Sequence, residues 1–440
     1  MTYLLSLLII IPTLVNALSI DEAVQQTIET NPQIQVKKEE LLTEKETLTG
    51  AKSDYLPTVD LSYTVGGERT HTIANKNNDR PNDDREGQED KLRQEASVNL
   101  NQNLFAGFDT MYKVEQQEAL ILSAGSNVKD GANAIALETV TAYVDILRNK
   151  ELFDIAKNSM EVHKKYLAQI KEKVDAGVGR SSDYKQTLSR YEASQSIYFL
   201  TEQNYQNSIA TFQRLLSVEV SAEDLTKPTV SDLPAESLEE LIAMAMANNP
   251  SIQVSQADIK YAEAALTRSN AAYYPRADLT AEAYWDKGLN GFRAPSGVAD
   301  EQDGYNVLLV LSYNIFNGLA DSANKEANKH RLLKQNSTLA DTRRYIEAYT
   351  KIAYKTYKST AVQLVHIDRN IEASAQTVSD YQEENDLGRR SLIDLLNIEL
   401  EYNNAKNRKV AAEYDRIIAY YQILTHTGKM LEIMNVTIEE

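Results

Sequence analysis

The 440-residue sequence contains no cysteine, a single tryptophan and only nine prolines. Without cysteine the chain forms no disulfide, no thiolate zinc site and no cysteine nucleophile, and it offers no cysteine for lipidation behind a signal peptide. Basic residues are scarce as well: 46 Lys and Arg stand against 64 Asp and Glu, for a net charge of −18. Nucleic acids and anionic lipid headgroups require a basic surface, so this charge excludes both as preferred partners.

Motifs of catalysis and metal binding are missing too. The sequence has no glycine-rich phosphate loop and no Gly-x-Ser-x-Gly motif, and its five histidines lack the spacing of metal ligands. Those histidines are His71, His163, His330, His366 and His426. Charged residues at 25% and apolar residues at 42% are nevertheless typical of a folded, water-compatible chain. The sequence therefore predicts no enzyme, no cofactor and no metal site.

The first residues have the pattern of a secretory signal peptide, which we place at 1–17. Leu4 to Val15 form an apolar run of suitable length, and Val15 and Ala17 put small residues where signal peptidase cuts. No Lys or Arg precedes the run, which leaves the true start codon open. A buried N-terminal helix is the alternative interpretation, but Pro12 would break it. Beyond this segment no apolar stretch approaches the ~20 residues of a membrane helix.

The sequence is internally duplicated. The segment NPQIQV at 31–36 recurs as NPSIQV at 249–254, and YLP at 55–57 recurs as YYP at 273–275, both at an offset of 218. Four further landmarks recur at an offset of 211: NLFAG at 103–107 with NIFNG at 314–318, Ala142-Tyr143 with Ala353-Tyr354, Gly177 with Gly388, and Asp183 with Asp394. Shared order and spacing predict two repeats, at 18–217 and 236–430, joined by a segment at 218–235 and followed by a C-terminal segment at 431–440.

Each repeat is predicted to hold one long helix and two shorter ones. No proline occurs between Asn82 and Lys227 or after Ser296, so uninterrupted helices are possible in both stretches. Apolar residues recur there at helical spacing with charges between them. We place the long helices at about 108–176 and 319–387, each roughly 100 Å long at 1.5 Å per residue. In the first repeat the shorter helices, at about 19–55 and 180–216, would run antiparallel to the long one.

Two β-hairpins are predicted, at about 57–105 and 275–316. Val59, Leu61, Tyr63 and Val65 alternate with mostly polar residues, which is typical of a strand with two different environments. Segments rich in Asn, Asp, Gly and Pro at about 70–94 and 286–303 are predicted to be loops. Four strands cannot close a membrane barrel, which needs about eight, and open strand edges are not viable in lipid. If these strands enter a membrane, the subunit must therefore oligomerise.

These landmarks together resemble the TolC family of outer-membrane factors, most closely its type I secretion branch, over essentially the whole mature chain. The Asn-Pro of each repeat, the hairpin prolines, NLFAGF at 103–108, AYVDILR at 142–148 and AGVGRSSD at 176–183 carry the resemblance. It implies a mostly α-helical fold with a small β part. In that fold, duplicated antiparallel helical hairpins form an α-barrel tunnel. A homotrimer completes a twelve-stranded transmembrane β-barrel from four strands per chain.

The resemblance also implies location and function. The channel would lie in the outer membrane of a Gram-negative bacterium, in contact with its lipid, and extend into the periplasm. It would be the passive exit duct of type I secretion, working with a periplasmic adaptor protein and an inner-membrane ABC transporter. A drug-efflux duct with a proton-driven pump is the alternative, and a soluble coiled-coil scaffold is a third interpretation that the signal-like segment and the hairpins disfavour. The cargo cannot be inferred from the sequence.

Residues near the turns that follow the long helices are the candidate sites. The resemblance implies that these turns bind the adaptor, through Gly177, Gly179, Arg180, Gly388 and Arg389. It also implies that Asp394 lines an acidic pore constriction, and we add Asp183. An Asp in a first helical turn can equally be a plain N-terminal cap or dipole partner, and glycine after a helix most simply supplies a left-handed C-cap.

A closed-state lock is the last implied site. Arg390 matches the family arginine that bridges neighbouring helix pairs, with Ser182 and Asp183 as its candidate partners. The sequence departs from the family pattern twice: Asn397 stands where a second pore aspartate is expected, and Asn385 stands where a lock tyrosine is expected. We therefore predict a weaker closed state and a less cation-selective constriction.

Overall fold

The computed structural model describes residues 17–72, 87–218, 220–289 and 300–438, so the predicted signal peptide lies outside the described residues except for its last position. Its elements are α1 (Ile20–Thr30), α2 (Pro32–Ser53), β1 (Thr58–Thr72), β2 (Gly87–Ala106), α3 (Asp109–Asp175), α4 (Ser181–Leu216), α5 (Leu238–Asn248), α6 (Pro250–Arg268), β3 (Arg276–Lys287), β4 (Glu301–Ser312), α7 (Ala320–Asp386), α8 (Leu392–His426) and α9 (Met430–Ile433). Within the described ranges, no helix is both long and apolar enough for a membrane span.

The duplication predicted from the sequence is present in the structure. Helices α3 and α7 have 67 residues each and begin 211 residues apart. Helices α1 and α5 have 11 residues each and begin 218 residues apart. The predicted fold class, mostly helical and duplicated with four strands per chain, is confirmed.

One predicted helix is divided in two. The segment expected as a single helix at 19–55 is interrupted at Asn31: α1 ends at Thr30 and α2 begins at Pro32, because a residue before proline is pushed out of the helical region. Asn31 adopts ψ 122°, and its Oδ1 accepts a hydrogen bond of 2.9 Å from the Gln33 N–H. Asn249 repeats this arrangement with the Ser251 N–H at 3.0 Å. The Asn-Pro landmark is therefore a duplicated helix junction.

The hairpin loops are shorter than predicted. Strand β1 continues to Thr72 and β2 already begins at Gly87, so both ends of the predicted loop at 70–94 belong to paired strands. Strands β3 and β4 likewise reach Lys287 and start at Glu301. Near the hairpin loops the sequence is almost entirely polar, so the alternation of apolar and polar residues that identifies a strand is missing. The backbone hydrogen bonds between the strands do not depend on that alternation.

The four strands form one antiparallel sheet in the order β1-β2-β3-β4. One face carries aligned apolar side chains: Leu61 lies opposite Val98, Val98 opposite Ala283, and Ala283 opposite Tyr305. The other face is mostly polar. Leu61 and Tyr305 remain 79% and 85% exposed, so the apolar face is uncovered in the single chain.

By packing, the chain divides into two compact units. The first comprises residues up to Leu41, Ala124–Ser255 and the residues from Leu339; the second comprises Leu42–Ser123 and Gln256–Thr338 and contains the sheet. In the first unit, a tyrosine of each long helix forms a hydrogen bond with the backbone just before the first helix of its repeat, and this contact occurs in both repeats. Tyr143 Oη lies 2.7 Å from the Leu18 carbonyl oxygen, and Tyr354 Oη donates to the Glu236 carbonyl at 3.1 Å.

Candidate functional site

Two turns in the first unit end the long helices and begin the helices that follow. We call them the tip turns: residues 176–180 between α3 and α4, and 387–391 between α7 and α8. Gly177 has φ +77° and Gly388 has φ +70°. Arg389 N donates to Glu384 O at 2.8 Å and Gly388 N donates to Asn385 O at 2.9 Å. The first tip turn repeats this pair of bonds, so the left-handed C-caps predicted for both glycines are present.

Gly179 is required by a close approach. A Cβ added there would lie 2.8 Å from the backbone nitrogen of Val174. Its neighbour Arg180 is exposed and caps α4 through its backbone carbonyl, which accepts from Asp183 N at 3.1 Å. Arg389 is exposed in the second turn. These positions are accessible for adaptor binding, which stays a prediction.

Both candidate pore aspartates lie in the first turn of a helix. Asp394 contacts the N-cap residue Ser391: its N–H donates to Ser391 Oγ at 3.1 Å, and the Ser391 hydroxyl donates to the Asp394 carboxylate at 2.7 Å. Asp183 accepts a hydrogen bond of 3.2 Å from the Ser182 hydroxyl. Ser391 is thus the N-cap of α8, and Asp394 is the acidic residue of its first turn. Asp394 is half-buried, and its role in the pore stays a prediction.

Arg390 is held by its own repeat. Its Nε donates to Glu384 at 2.8 Å, and its guanidinium lies 4.1 Å from the ring centre of Tyr381. The hydrogen bond to Glu384 raises the pKa of Arg390 above its ordinary value. Asn385 donates to the Arg390 carbonyl at 2.7 Å and so closes the tip turn. Throughout the part of the chain that the structure describes, no bond joins Arg390 to the predicted lock partners at 182 and 183.

Arg190 is a functional candidate that the sequence analysis missed. Its Nη2 donates to Asn397 Oδ1 at 2.8 Å and joins α4 to α8, although the two residues are 207 positions apart. Burial lowers the pKa of His163 on α3, the hydrogen bond with the Ser159 carbonyl opposes this shift, and the positive charge of Arg190 adds to it. A signal existed in the sequence: Arg190 follows Asp183 by seven residues, two helical turns, and therefore shares its face.

An apolar cluster packs the four helices together at this end. The buried residues are Tyr166, Ile170, Leu392, Leu395 and Leu396, and Tyr184 and Tyr381 cover them. Burial, followed by the negative charges of Glu399 and Asp386, raises the pKa of Tyr166 to about 12. One apolar core therefore holds the ends of the four helices that carry the tip turns, Arg190 and Asn397.

The second candidate site is the pair of sheet edges in the second unit. Strands β1 and β4 each pair on one side only among the described residues, so each presents a row of unpaired backbone groups. An apolar face combined with two open edges requires further strands and an apolar medium around them.

Comparison with known proteins identifies the family to which this arrangement of helices and strands belongs. The model of the family described as "Outer membrane efflux protein" matches residues 23–218 and 241–429. BepC of Brucella suis, an outer membrane efflux protein, is 20% identical over 382 residues, 86% of this chain and 78% of the relative. TolC of Vibrio cholerae is 20% identical over 354 residues, 77% of each chain. PrtF of Dickeya chrysanthemi, a proteases secretion protein, is 17% identical over 377 residues, 84% of this chain and 80% of the relative.

Solved structures agree on the fold. The Campylobacter jejuni CmeC outer membrane channel has a TM-score of 0.79 and 15% identity, over 93% of this chain and 86% of that one. The open-state Neisseria gonorrhoeae MtrE outer membrane channel has a TM-score of 0.75 and 15% identity, over 94% and 89%. The predicted location, the outer membrane with an extension into the periplasm, is confirmed. Because the family model matches most of the sequence in both repeats, the chain belongs to the TolC family of outer membrane efflux proteins.

Proposed function

We propose that the protein is the outer-membrane exit duct of a type I secretion system. It works as a passive homotrimeric channel with a periplasmic adaptor and an inner-membrane ABC transporter. The observation that carries the channel is the four-stranded sheet with one uncovered apolar face and two open edges. Three copies supply twelve strands, enough to close a membrane barrel. Its strands of 12 to 20 residues exceed the ~10 residues that cross a bilayer.

The secretion branch is supported by likeness to PrtF, which covers 84% of this chain, together with the motifs at 103–108 and 176–183. Drug efflux is the second candidate, because BepC is named an efflux protein and matches 86% of this chain. Both functions use the same duct, so the transporter behind it determines the cargo.

Deletion of the gene separates the two functions. For a secretion duct, we expect one or a few proteins to disappear from the culture medium, with susceptibility to small toxic compounds unchanged. Complementation with the intact gene is the control and should restore secretion. A strain that secretes normally but becomes several-fold more susceptible to drugs would reject the secretion role in favour of efflux.

We further propose that Arg390 stabilises the closed tip, where Asp394 and Asp183 line the constriction. Replacing Arg390 by alanine removes both the Glu384 ion pair and the contact with Tyr381. An exposed ion pair contributes little by itself, so the lock depends on the three copies in the trimer acting together. We expect higher single-channel conductance in planar bilayers. The adjacent, exposed Arg389→Ala is the matched control, and equal conductance of R390A and wild type would reject the lock.

A further inference from the structure

Within the sheet, the two repeats of one chain meet at a seam formed by β2 and β3. Asn103 Nδ2 donates to Asp278 Oδ1 at 2.7 Å across it. A β-bulge between Asn103 and Phe105 places Phe105 opposite Ala277, on the apolar face. Below the strands, the ring of Phe108 packs edge-on against Phe105 at 5.2 Å and against Tyr274 at 5.6 Å.

The same residues recur at the two outer edges of the sheet, where nothing covers them. At the offset of 211, the residues equivalent to Asn103, Phe105 and Phe108 are Asn314, Phe316 and Leu319. At the offset of 218, the equivalents of Asp278 and Tyr274 are Asp60 and Leu56. Phe316, Leu319 and Leu56 are 76%, 73% and 65% exposed, against 47% for both Phe108 and Tyr274. The β4 edge therefore carries the residues equivalent to the β2 side of the inner seam, and the β1 edge carries those equivalent to its β3 side.

We propose that β4 of one chain pairs with β1 of the next copy in the register of the inner seam. Leu100 lies opposite Ala281 in that seam. The two repeat offsets convert this pair into Leu311 opposite the partner's Tyr63. They convert the polar contact into Asn314 Nδ2 donating to the carboxylate of the partner's Asp60. The inference rests on the proposed trimeric channel and specifies how its chains join.

This register satisfies both faces of the sheet. It places Leu309 opposite the partner's Val65 and Tyr313 opposite the partner's Leu61, so apolar residues adjoin apolar ones. A slip by one residue would move every side chain of one strand to the opposite face. A slip by two residues preserves the faces but places Asn314 opposite Thr58 or Ser62 and leaves the Asp60 carboxylate without its amide donor. The Asn–Asp pair therefore selects one register.

Disulfide trapping tests the register directly, because the chain has no cysteine of its own. Three variants combine Leu311→Cys with Leu61→Cys, Tyr63→Cys or Val65→Cys. Directly opposed Cβ atoms are about 5 Å apart and diagonal ones about 7–8 Å, whereas a disulfide needs about 4 Å. We expect oxidised outer membranes to give covalent dimers and trimers at least several-fold more efficiently for the pair 311/63. A maximum at 61 or 65 would overturn the register while leaving the trimer intact.

A second variant tests the polar contact without oxidation. Asn314→Asp opposes two carboxylates at every subunit junction and should reduce the trimer fraction several-fold, and adding Asp60→Asn should restore it. Unaltered trimer yield in N314D would overturn the Asn–Asp contact. Quenching of the single tryptophan, Trp285 on the apolar face, by brominated phosphatidylcholine reports membrane insertion separately. An unquenched, monomeric wild type would contradict the proposed channel itself, and with it the register.

Discussion

Replacing Gly107 by alanine is expected to destabilise the folded chain by about 2–4 kcal/mol, because the added methyl group combines backbone strain with a steric clash. Gly107 has φ +64°, and a left-handed conformation costs an alanine about 1 kcal/mol. The added Cβ would also lie 2.6 Å from the Ala271 carbonyl oxygen and 2.8 Å from Tyr274 Cβ. Relieving such overpacking costs about 1–3 kcal/mol more. Protease resistance and the apparent unfolding temperature in detergent measure the loss.

Gly318 is the matched control in the second repeat. Its φ of +58° is similar, but an added Cβ would meet nothing within 4 Å in the single chain. Gly318→Ala should therefore lose only the backbone contribution of about 1 kcal/mol during folding. In the proposed register, the partner's Ser53 and the partner's Leu56 take the places of Ala271 and Tyr274, so G318A should instead reduce the yield of trimers. Equal losses of protease resistance in both variants, with full trimer yield in G318A, would contradict this assignment.

The long helices could be predicted to within one residue at each end. Proline-free stretches permit them, and Gly177 and Gly388 end them in left-handed caps that other residues adopt poorly. The strand ends beyond residue 69 could not be predicted, because strands with two polar faces lose their alternation. The positive φ of Phe108 and Leu319, at +70° and +67°, could not be predicted either, because no sequence pattern indicates that a non-glycine residue adopts a left-handed conformation.

The candidate sites were predictable to different degrees. The repeat spacing and the resemblance to the family identified Asp394 and Arg390, because these residues lie six and two positions after Gly388. The bond between Arg190 and Asn397 joins helices of different repeats. A pairing of that kind depends on how the four helices pack around Leu395 and Leu396, and helical periodicity supplies the face but not the partner.

The two tip turns share their first glycine but differ in the residue that stands two positions after it. At the offset of 211, Gly179 in the first turn corresponds to Arg390 in the second. The first turn has no room for a side chain there, because the backbone of Lys173 and Val174 occupies that space. The second turn accommodates a guanidinium bound to Glu384. The first repeat therefore supplies a compact turn, and the second supplies the charged group on which a gate can depend.

Charge substitutions at Arg190 and Asn397 are expected to change ion selectivity in two steps. In the wild type, Asn397 occupies the expected pore position and accepts a hydrogen bond from Arg190, so the pair carries one positive charge per chain. Asn397→Asp neutralises that charge, as does Arg190→Gln. The double variant reverses it, so cation preference should increase from wild type to either single variant and again to the double variant.

The size of each step follows from Coulomb's law. Three unit charges about 8 Å from a pore axis contribute ~1.5 kcal/mol in water before screening, and salt at physiological strength reduces this to about a third. Each step should therefore change the cation-to-anion permeability ratio roughly two- to ten-fold, measured as the reversal potential in a salt gradient. Gln213→Glu is the matched control, because it changes the charge equally on α4 but lies roughly 35 Å along the helix from Arg190. A double variant no more cation-selective than wild type would show that Asn397 lies outside the constriction, and the proposed pore lining would then reduce to Asp394 and Asp183.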